Sequence, residues 1–188
     1  MFNDDTIAGR SGFPPHPHRE MEIVTLMHEG VLTHSDNMGN NRTLEKGYIQ
    51  RMSAGTGVTH SEMNNGDDTV RLYQLWFYPN QKSLTPTYEE KRFTLDTSDE
   101  LHLLASPHGN NGSMKLNADV SIYYGTLMKG KEYTVTTSKD NHTLIYVKHG
   151  SIAVLDEVLE VKDQARITGE SELNITANED TELIIVVG

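Results

Sequence analysis

The sequence contains no cysteine, which excludes a disulfide framework, a thiolate metal site and a cysteine nucleophile. It is also poor in basic residues, because 16 Lys and Arg stand against 27 Asp and Glu and give a net charge of −11 at pH 7. This acidic balance argues against direct nucleic-acid binding, which requires a basic surface. Any metal ion in the protein must therefore be held by His, Asp or Glu.

Long apolar runs are absent as well. No stretch approaches the length of about 18 apolar residues that a membrane-spanning helix needs. The N-terminal residues MFNDD are acidic and lead into no apolar stretch, unlike a secretory signal. We therefore expect a cytoplasmic protein that does not bind membranes. With 188 residues, of which 36% are hydrophobic, the chain is long enough for one domain or two small ones.

The sequence does contain a series of short β-branched and aromatic runs, which are separated by Gly and Asn turn residues. Apolar residues recur nowhere at the spacing of an amphipathic helix. Short strands in regular succession are typical of an all-β sandwich, barrel or jelly roll. Strands are predicted at residues 22–27, 31–34, 48–52, 70–78, 120–127, 132–136, 143–148, 151–155, 173–176 and 183–187.

A weak internal repeat divides the chain. LMHEGVL at residues 26–32 resembles YVKHGSI at residues 146–152, and the two glycines lie 120 positions apart. The polar stretch between the halves is predicted to be a connection with one strand near residues 101–104. These observations predict two stacked β-barrels of similar topology. The predicted divisions are an N-terminal barrel at 1–82, a connecting segment at 83–112 and a C-terminal barrel at 113–188.

Two pairs of potential metal ligands stand out, His-Pro-His at residues 16–18 and His-Ser-Glu at residues 60–62. Side chains two residues apart point to the same face of a β-strand, so each pair can aim both side chains into one barrel interior. Three neutral imidazoles and one carboxylate form a nitrogen-rich set that suits Fe, Mn, Co, Ni, Cu or Zn. The alternative interpretation of the first pair is two exposed histidines that precede a strand.

Other polar and aromatic residues are interpreted more simply. Six histidines are predicted to be surface or strand residues rather than ligands: His28, His34, His102, His108, His142 and His149. Among them His34 is the strongest candidate for a functional role, because it lies in a hairpin of the metal-binding half. The aromatic run of Tyr73, Trp76, Phe77 and Tyr78 is interpreted as core, since aromatic side chains bury large areas. The alternative is that this run lines a ligand pocket.

Longer motifs surround the two ligand pairs. They are GFPPHPHREMEIVT at residues 12–25, DNMGN at 36–40, QRMSAGTGVTHSE at 50–62 and LYQLW at 72–76. Together they resemble the pirin family of the cupin superfamily, clearly over residues 3–92 and more faintly to the C-terminus. The resemblance implies two cupin β-barrels of jelly-roll type, with one metal ion, usually Fe(II), in the N-terminal barrel. Carried over by motif, the ligands are His16, His18, His60 and Glu62.

The position of the carboxylate ligand differs between families. Many cupins use the Glu four residues after His-x-His, which here is Glu22, whereas pirins take it from the second motif, which here is Glu62. The spacing along the strand favours Glu62, because this residue lies two positions after His60 and its side chain points to the same face. Glu22 lies an even number of residues after His18, so on a continuous strand its side chain would point to the same face, and it is expected to point inward beside the site.

The two ends of the chain carry further expectations. Pirins have additional residues before the stretch that matches Asn3, so the N-terminal barrel is expected to be incomplete, with an open edge. Such an edge is expected to promote a homodimer or to leave a loosened first strand with weaker metal retention. The C-terminal barrel is expected to hold no metal. Alignment of the two repeat glycines places Thr136 and Ser138 where the first histidine pair stands, and no histidine follows His149.

The resemblance implies one of two functions. The first is an enzyme of the quercetin 2,3-dioxygenase type, a flavonol 2,4-dioxygenase that uses O₂, in which Glu62 acts as the catalytic residue that accepts the flavonol hydroxyl proton. The second is a non-catalytic regulator whose metal redox state tunes its contacts with a protein partner. A pocket beside an open metal position favours the enzyme, whereas a closed four-ligand site with an exposed surface patch favours the regulator or a structural zinc site.

Overall fold

The regular structure of the chain is almost entirely β-strand. The computed structural model describes residues 1–93 and 99–188, and a short 3-10 helix at Asn110–Gly112 is the helical element of that part. No helix among these residues has the length and apolar character needed to cross a membrane. The prediction of an all-β protein is confirmed. The chain divides into an N-terminal unit, Met1–Thr94 with Leu116–Ala118, and a C-terminal unit, Leu95–Lys115 with Asp119–Gly188.

The N-terminal unit consists of two sheets. Its strands are β1 Phe2–Ile7, β2 Ser11–His18, β3 Glu22–Glu29, β4 Val31–Asp36, β5 Asn41–Glu45, β6 Tyr48–Ser53, β7 Val58–Asn64, β8 Val70–Phe77 and β9 Thr87–Arg92. One sheet has the order β1-β8-β3-β6-β9 and the other has the order β2-β7-β4-β5. All pairings in both sheets are antiparallel.

The core of this unit lies between the two sheets. Met27 and Leu72 of the first sheet pack with Leu32 and Leu44 of the second, and all four are buried. Leu32 and Leu44 have more exposed neighbours along β4 and β5, as expected where one face of a sheet is covered, whereas residues 22–27 of β3 are all buried. The inner face is therefore shared by both sheets, and polar side chains on it are withdrawn from water.

The C-terminal unit repeats this construction. Its strands are β10 Leu101–Ser106, β11 Met114–Lys115, β12 Ser121–Leu127, β13 Glu132–Thr136, β14 His142–His149, β15 Ile152–Val154, β16 Glu157–Leu159, β17 Gln164–Thr168, β18 Glu172–Ala177 and β19 Thr181–Val187. The sheet orders are β11-β10-β12-β19-β14-β17 and β13-β18-β15-β16. A buried aliphatic cluster joins the two sheets, with Ile145 and Ile185 on one side and Ile152 and Leu173 on the other.

The internal repeat is visible in the backbone. Gly30 and Gly150 both end a strand with a φ of 77°, a conformation that favours glycine. The strands before them carry matching irregularities, since the β3–β8 register shifts between Met27 and Glu29 and the β14–β19 register shifts between Val147 and His149. The same bulge and turn therefore occur 120 residues apart in the two units.

Each of the ten predicted strands overlaps an observed strand. The strand expected near residues 101–104 corresponds to β10. Strands β2 and β7 lie outside the ten ranges, although the argument for the two ligand pairs placed both pairs on strands. Strands β1, β5, β9, β11, β16 and β17 were not predicted, and β9 lies inside the segment interpreted as a connection. In the described residues the two predicted barrels are pairs of separate sheets, as in a jelly roll, rather than closed cylinders. The predicted divisions at residues 82 and 112 stay a prediction.

Candidate functional site

Strand β7 carries the second ligand pair. Burial alternates along it, so that His60, Glu62 and Asn64 are buried while the residues between them are not. The spacing of two residues therefore places His60 and Glu62 on the inner face, as predicted. Strand β2 pairs with β7 and brings His16 directly opposite His60, after a register shift that begins at Phe13.

Three imidazole rings meet between these two strands. The ring centroids of His16 and His60 lie 4.4 Å apart, those of His16 and His18 lie 4.9 Å apart, and those of His18 and His60 lie 5.1 Å apart. One ring nitrogen from each of the three lies within 4.8 Å of the others, close enough to share one metal ion. His16 and His18 are half-buried and His60 is buried, so the cluster is open on the side of β2.

The hydrogen bonds of these rings fit a metal ion. The Nδ1 atom of His16 lies 2.8 Å from the carbonyl oxygen of Pro14, which can only accept, so the proton resides on Nδ1 and Nε2 keeps its lone pair. The Nε2 atom of His60 is buried and has no hydrogen-bond partner in the part of the chain that the structure describes. An unpartnered buried nitrogen costs free energy, and a metal ion is a partner that would remove this cost.

Burial favours the neutral form of His18 and His60. It lowers the pKa of His60 to about 3, with smaller contributions from the neighbouring rings of His16, His34 and His18. Burial and then the charge of His16 lower the pKa of His18 as well. Neutral imidazole is the form that binds a metal ion, so the site is ready for binding at neutral pH.

The carboxylate of Glu62 is held from two sides by amides. Gln50 donates to Oε1 at 3.1 Å and Gln74 donates to Oε2 at 2.8 Å. The amides are themselves oriented, since Gln50 accepts from the Tyr88 hydroxyl and Gln74 accepts from the Trp76 indole N–H. Burial raises the pKa of Glu62, and hydrogen bonds from the two glutamines oppose this rise. The result is a fixed, buried carboxyl group with proton affinity above the ordinary value.

Glu62 belongs to a second set of potential ligands, which shares His60 with the first. This set is His34, His60 and Glu62, whose ligand atoms lie within 4.8 Å of one another and which are all buried. The structure thus brings the four predicted ligands into two overlapping sets. His34 was interpreted as a strand residue, yet it enters the second set because β4 places it opposite Glu62. His34 lies two residues before Asp36, the same spacing that identified the pairs at residues 16–18 and 60–62, so this spacing could have pointed to His34.

Glu22 does not lie with the histidines. Its buried carboxylate accepts hydrogen bonds from the Ser53 hydroxyl and from the backbone and side-chain amides of Asn117. Glu22 was expected to point the same way as His18, because the two residues lie four positions apart. This expectation is wrong, because β2 and β3 belong to different sheets and the chain reverses between them, with Glu20 at a φ of 51°. On β3 the inner face instead carries Thr25, which accepts from both glutamines that hold Glu62.

A cavity of about 450 Å³ opens beside the site. His16 and Glu62 line it together with apolar and polar side chains. The lining residues are Asn3, Asp5, Phe13, Pro14, Pro15, His16, Glu62, Gln74 and Trp76. A volume in this range and a mostly apolar wall with a few polar groups are typical of small-molecule sites.

The remaining predicted residues divide between core and surface. Tyr73 is buried, Trp76 reaches the cavity wall, and Tyr78 is 84% exposed because β8 ends before it. The histidines His28, His102, His108, His142 and His149 are not buried. Among the described residues, both sets of potential metal ligands lie in the N-terminal unit.

Comparison with known sequences identifies the family. A model of the Pirin family matches residues 1–77, and a model of the quercetinase C-terminal cupin domain matches residues 103–186. A relative from Escherichia coli K12 named quercetin 2,3-dioxygenase is 34% identical over 186 residues, which cover 98% of this chain and 80% of that protein. The chain belongs to the pirin family. A pirin-like protein from Caulobacter vibrioides is 36% identical over 188 residues, covering 99% of this chain and 81% of the relative.

Solved pirin structures share the fold. The crystal structure of YhhW from Escherichia coli matches with a TM-score of 0.93 at 34% identity, covering 99% of this chain and 79% of YhhW. The complex of the bacterial pirin YhhW with nickel(II) also matches with a TM-score of 0.93, at 33% identity, covering 99% of this chain and 80% of that one. The predicted cupin jelly-roll fold is confirmed, and YhhW is a pirin that has been crystallised with a metal ion.

Proposed function

We propose that this pirin is an enzyme of the quercetin 2,3-dioxygenase type, a flavonol 2,4-dioxygenase that uses O₂ at a single divalent metal ion. The cavity beside His16 and Glu62 carries the proposal, because it gives a small molecule access to the residues that would hold the ion. The relative named quercetin 2,3-dioxygenase supports flavonols as the substrate class. A purely structural metal site would instead be closed by its ligands.

The ligands proposed for the ion are His16, His18, His60 and Glu62. Their three nitrogens and one carboxylate oxygen suit a first-row divalent ion, and the neutral rings and the unpartnered Nε2 of His60 fit this role. We favour Fe(II) from the family resemblance, while the nickel(II) complex of YhhW supports a site that takes more than one metal. When bound, the ion supplies Lewis acidity and redox chemistry toward O₂.

The residues of the chain account for substrate binding. Phe13, Pro14 and Trp76 give the cavity an apolar wall that suits flat aromatic rings. Asn3 and Asp5 add polar groups at the same wall, suited to the hydroxyl groups of a flavonol. Such a lining would shield the rings of the substrate from water in the cavity that His16 also lines.

Glu62 is the proposed catalytic base. A flavonol loses its hydroxyl proton during the reaction, and two carboxylates, Asp5 and Glu62, line the cavity. Glu62 lies on the strand that carries His60, so it is the one beside the proposed ion. The amides of Gln50 and Gln74 fix its orientation, and each of its oxygens retains lone-pair capacity beyond these bonds. In the metal-free protein, burial raises the pKa of Glu62.

Glu62→Gln tests this role. The substitution keeps the shape of the side chain and removes the basic carboxylate, so we expect turnover to fall by about 10²–10⁴-fold. The assay follows the loss of quercetin absorbance together with O₂ uptake. Glu29→Gln is the matched control, since Glu29 is an exposed carboxylate of the same unit, paired with Arg71.

The same assay decides between enzyme and regulator. The protein is loaded separately with Fe, Mn, Co, Ni and Cu, and each form is compared with the free metal. Turnover above the free metal in at least one form is the expected result. No turnover in any form refutes the enzyme and leaves the non-catalytic regulator as the function to be tested.

A further inference from the structure

His34 is a buried histidine to which the proposed metal site gives no role. Its side chain has no exposed surface, and β4 places it opposite Glu62 on the neighbouring strand. Tyr88 packs against its ring, with 4.8 Å between the two centroids. A buried polar ring costs free energy unless its nitrogens have partners, so the partners of His34 indicate its role.

The first partner is Asp36. The Nε2 atom of His34 lies 3.1 Å from Oδ2 of Asp36, which also accepts from the side-chain amide of Asn40. The other oxygen, Oδ1, accepts from the backbone N–H groups of Met38 and Asn40. Burial raises the pKa of Asp36, but the hydrogen bonds from Asn40, His34 and Met38 together hold it below its ordinary value. Asp36 is therefore an ionised acceptor, and the shared proton resides on Nε2 of His34.

The second partner is His60. The Nδ1 atoms of His34 and His60 lie 3.5 Å apart, and one of them must donate while the other accepts. In neutral His34 the proton is on Nε2, so its Nδ1 is the acceptor. His60 then carries its own proton on Nδ1 and keeps a lone pair on Nε2. That Nε2 is the buried nitrogen with no hydrogen-bond partner in the described part of the chain.

We propose that Asp36 and His34 are positioning residues that fix the tautomer and the ring orientation of His60, an inference that rests on the proposed metal site. Asp36 holds the proton of His34 on Nε2, and His34 holds the proton of His60 on Nδ1. The lone pair of His60 Nε2 is thereby presented to the ion. Partners of this kind change metal affinity by about 10–100-fold when they are removed.

Asp36→Asn tests the chain of hydrogen bonds without removing a ring. The new side-chain oxygen is needed by the backbone N–H groups of Met38 and Asn40, so the NH₂ group turns toward His34 and donates to its Nε2. His34 then carries its proton on Nδ1 and pushes the proton of His60 onto Nε2, the proposed ligand atom. We expect the affinity for Ni(II), measured by calorimetric titration, to fall by about 10–100-fold.

Asp67→Asn is the control for the lost charge. Asp67 is an exposed carboxylate of the same unit and pairs with Arg10, outside the hydrogen-bond chain. Its substitution removes one negative charge and is expected to leave Ni(II) affinity unchanged. An equal loss of affinity in Asp36→Asn and Asp67→Asn would show a general effect of charge and overturn the proposal.

Two substitutions of His34 separate a positioning role from direct ligation. His34→Leu removes the acceptor for His60 and is expected to lower Ni(II) affinity by about 10–100-fold, with no further loss when Asp36→Asn is added. His34→Gln supplies one acceptor and one donor, and is expected to bind nearly as the unmodified protein does. If His34→Gln loses affinity as completely as His60→Ala does, His34 is itself a ligand and the proposal is overturned.

The tautomer can also be read directly. Proton–nitrogen NMR correlations of the histidine rings in the metal-free protein are expected to show the His60 proton on Nδ1, and on Nε2 in Asp36→Asn. A proton on Nε2 in the unmodified protein overturns the proposal, even where His34→Leu fails to fold.

His60→Ala separates the two proposals. Full Ni(II) binding by His60→Ala refutes the metal site itself. Loss of binding in His60→Ala combined with unchanged affinity in both Asp36→Asn and His34→Leu refutes only the positioning role.

Discussion

Glu22 is predicted to stabilise the fold without holding the metal ion, and its substitution separates these two roles. The side chain is fully buried, and its carboxylate accepts from the Ser53 hydroxyl and from both amide groups of Asn117. Glu22→Ala removes this acceptor and leaves the Ser53 O–H and the Asn117 backbone N–H without an acceptor, while Ser53 Oγ still accepts from the Asn117 side-chain amide. A buried polar group left unpaired costs about 1–3 kcal/mol, so two such groups cost about 2–6 kcal/mol. Ser53 is buried but Asn117 is only half-buried, so the expected loss lies in the lower half of this range, at about 3 kcal/mol.

This loss is measurable as a shift in thermal unfolding. In a chain of this size, 1 kcal/mol corresponds to about 2–4 °C, so Tm is expected to fall by about 6–12 °C. The measurement uses metal-free protein, because a bound ion would add stability of its own. Glu22→Gln keeps the volume and one oxygen, and is expected to lose about 1 kcal/mol. Metal content after reloading is expected to stay at the unmodified level in both variants.

Glu29→Ala is the control on the same strand. Glu29 is an exposed carboxylate that pairs with Arg71, and exposed pairs contribute little to stability. Its Tm is expected to change by no more than about 2 °C. A Glu22→Ala protein that kept its Tm but lost the metal ion would identify Glu22 as a ligand, and the assignment of its hydrogen bonds as the source of its effect would then be wrong.

Two further predictions concern metal binding. Elemental analysis of untagged protein is expected to give about one metal ion per chain, because the C-terminal unit has no counterpart of the histidine pairs. Metal binding is expected to be lost when His16→Ala and His60→Ala are combined. Unchanged metal content in this double variant would refute the ligand set. Trp76 is the only tryptophan of the chain, and its ring centroid lies 4.9 Å from that of His18. Its fluorescence is therefore expected to be quenched on addition of Ni(II) or Cu(II) and restored by a chelator, and an emission that does not respond would contradict a site at His18.

The ligand pair on β7 could be predicted from the sequence because it needs only the period of a strand. His60 and Glu62 lie two residues apart on one regular strand, so they reach the same face wherever that strand lies. Glu22 could not be placed in this way. The alternation of side-chain direction along β2 does not continue past the chain reversal that begins at Arg19, because the strands before and after it lie in different sheets.

His34 and β9 show what local patterns leave out. His34 meets His60 through the register between β4 and β7, a pairing over 26 residues that no short motif encodes. Strand β9 has the sequence TYEEKR, which is polar throughout and was interpreted as a connection. It lies at the edge of its sheet, where charged side chains are typical because they oppose pairing with other chains.

The return of Leu116–Ala118 to the N-terminal unit affects how the protein can be divided experimentally. The chain passes between the two units after residue 94, after residue 115 and after residue 118. A single cut therefore yields no fragment that contains one whole unit and nothing else. A fragment that stops at residue 94 would contain every proposed metal ligand and still lack Asn117, so its Glu22 carboxylate would lose two of its donors. Limited proteolysis and split-gene complementation are thus better suited than truncation for dissecting this protein.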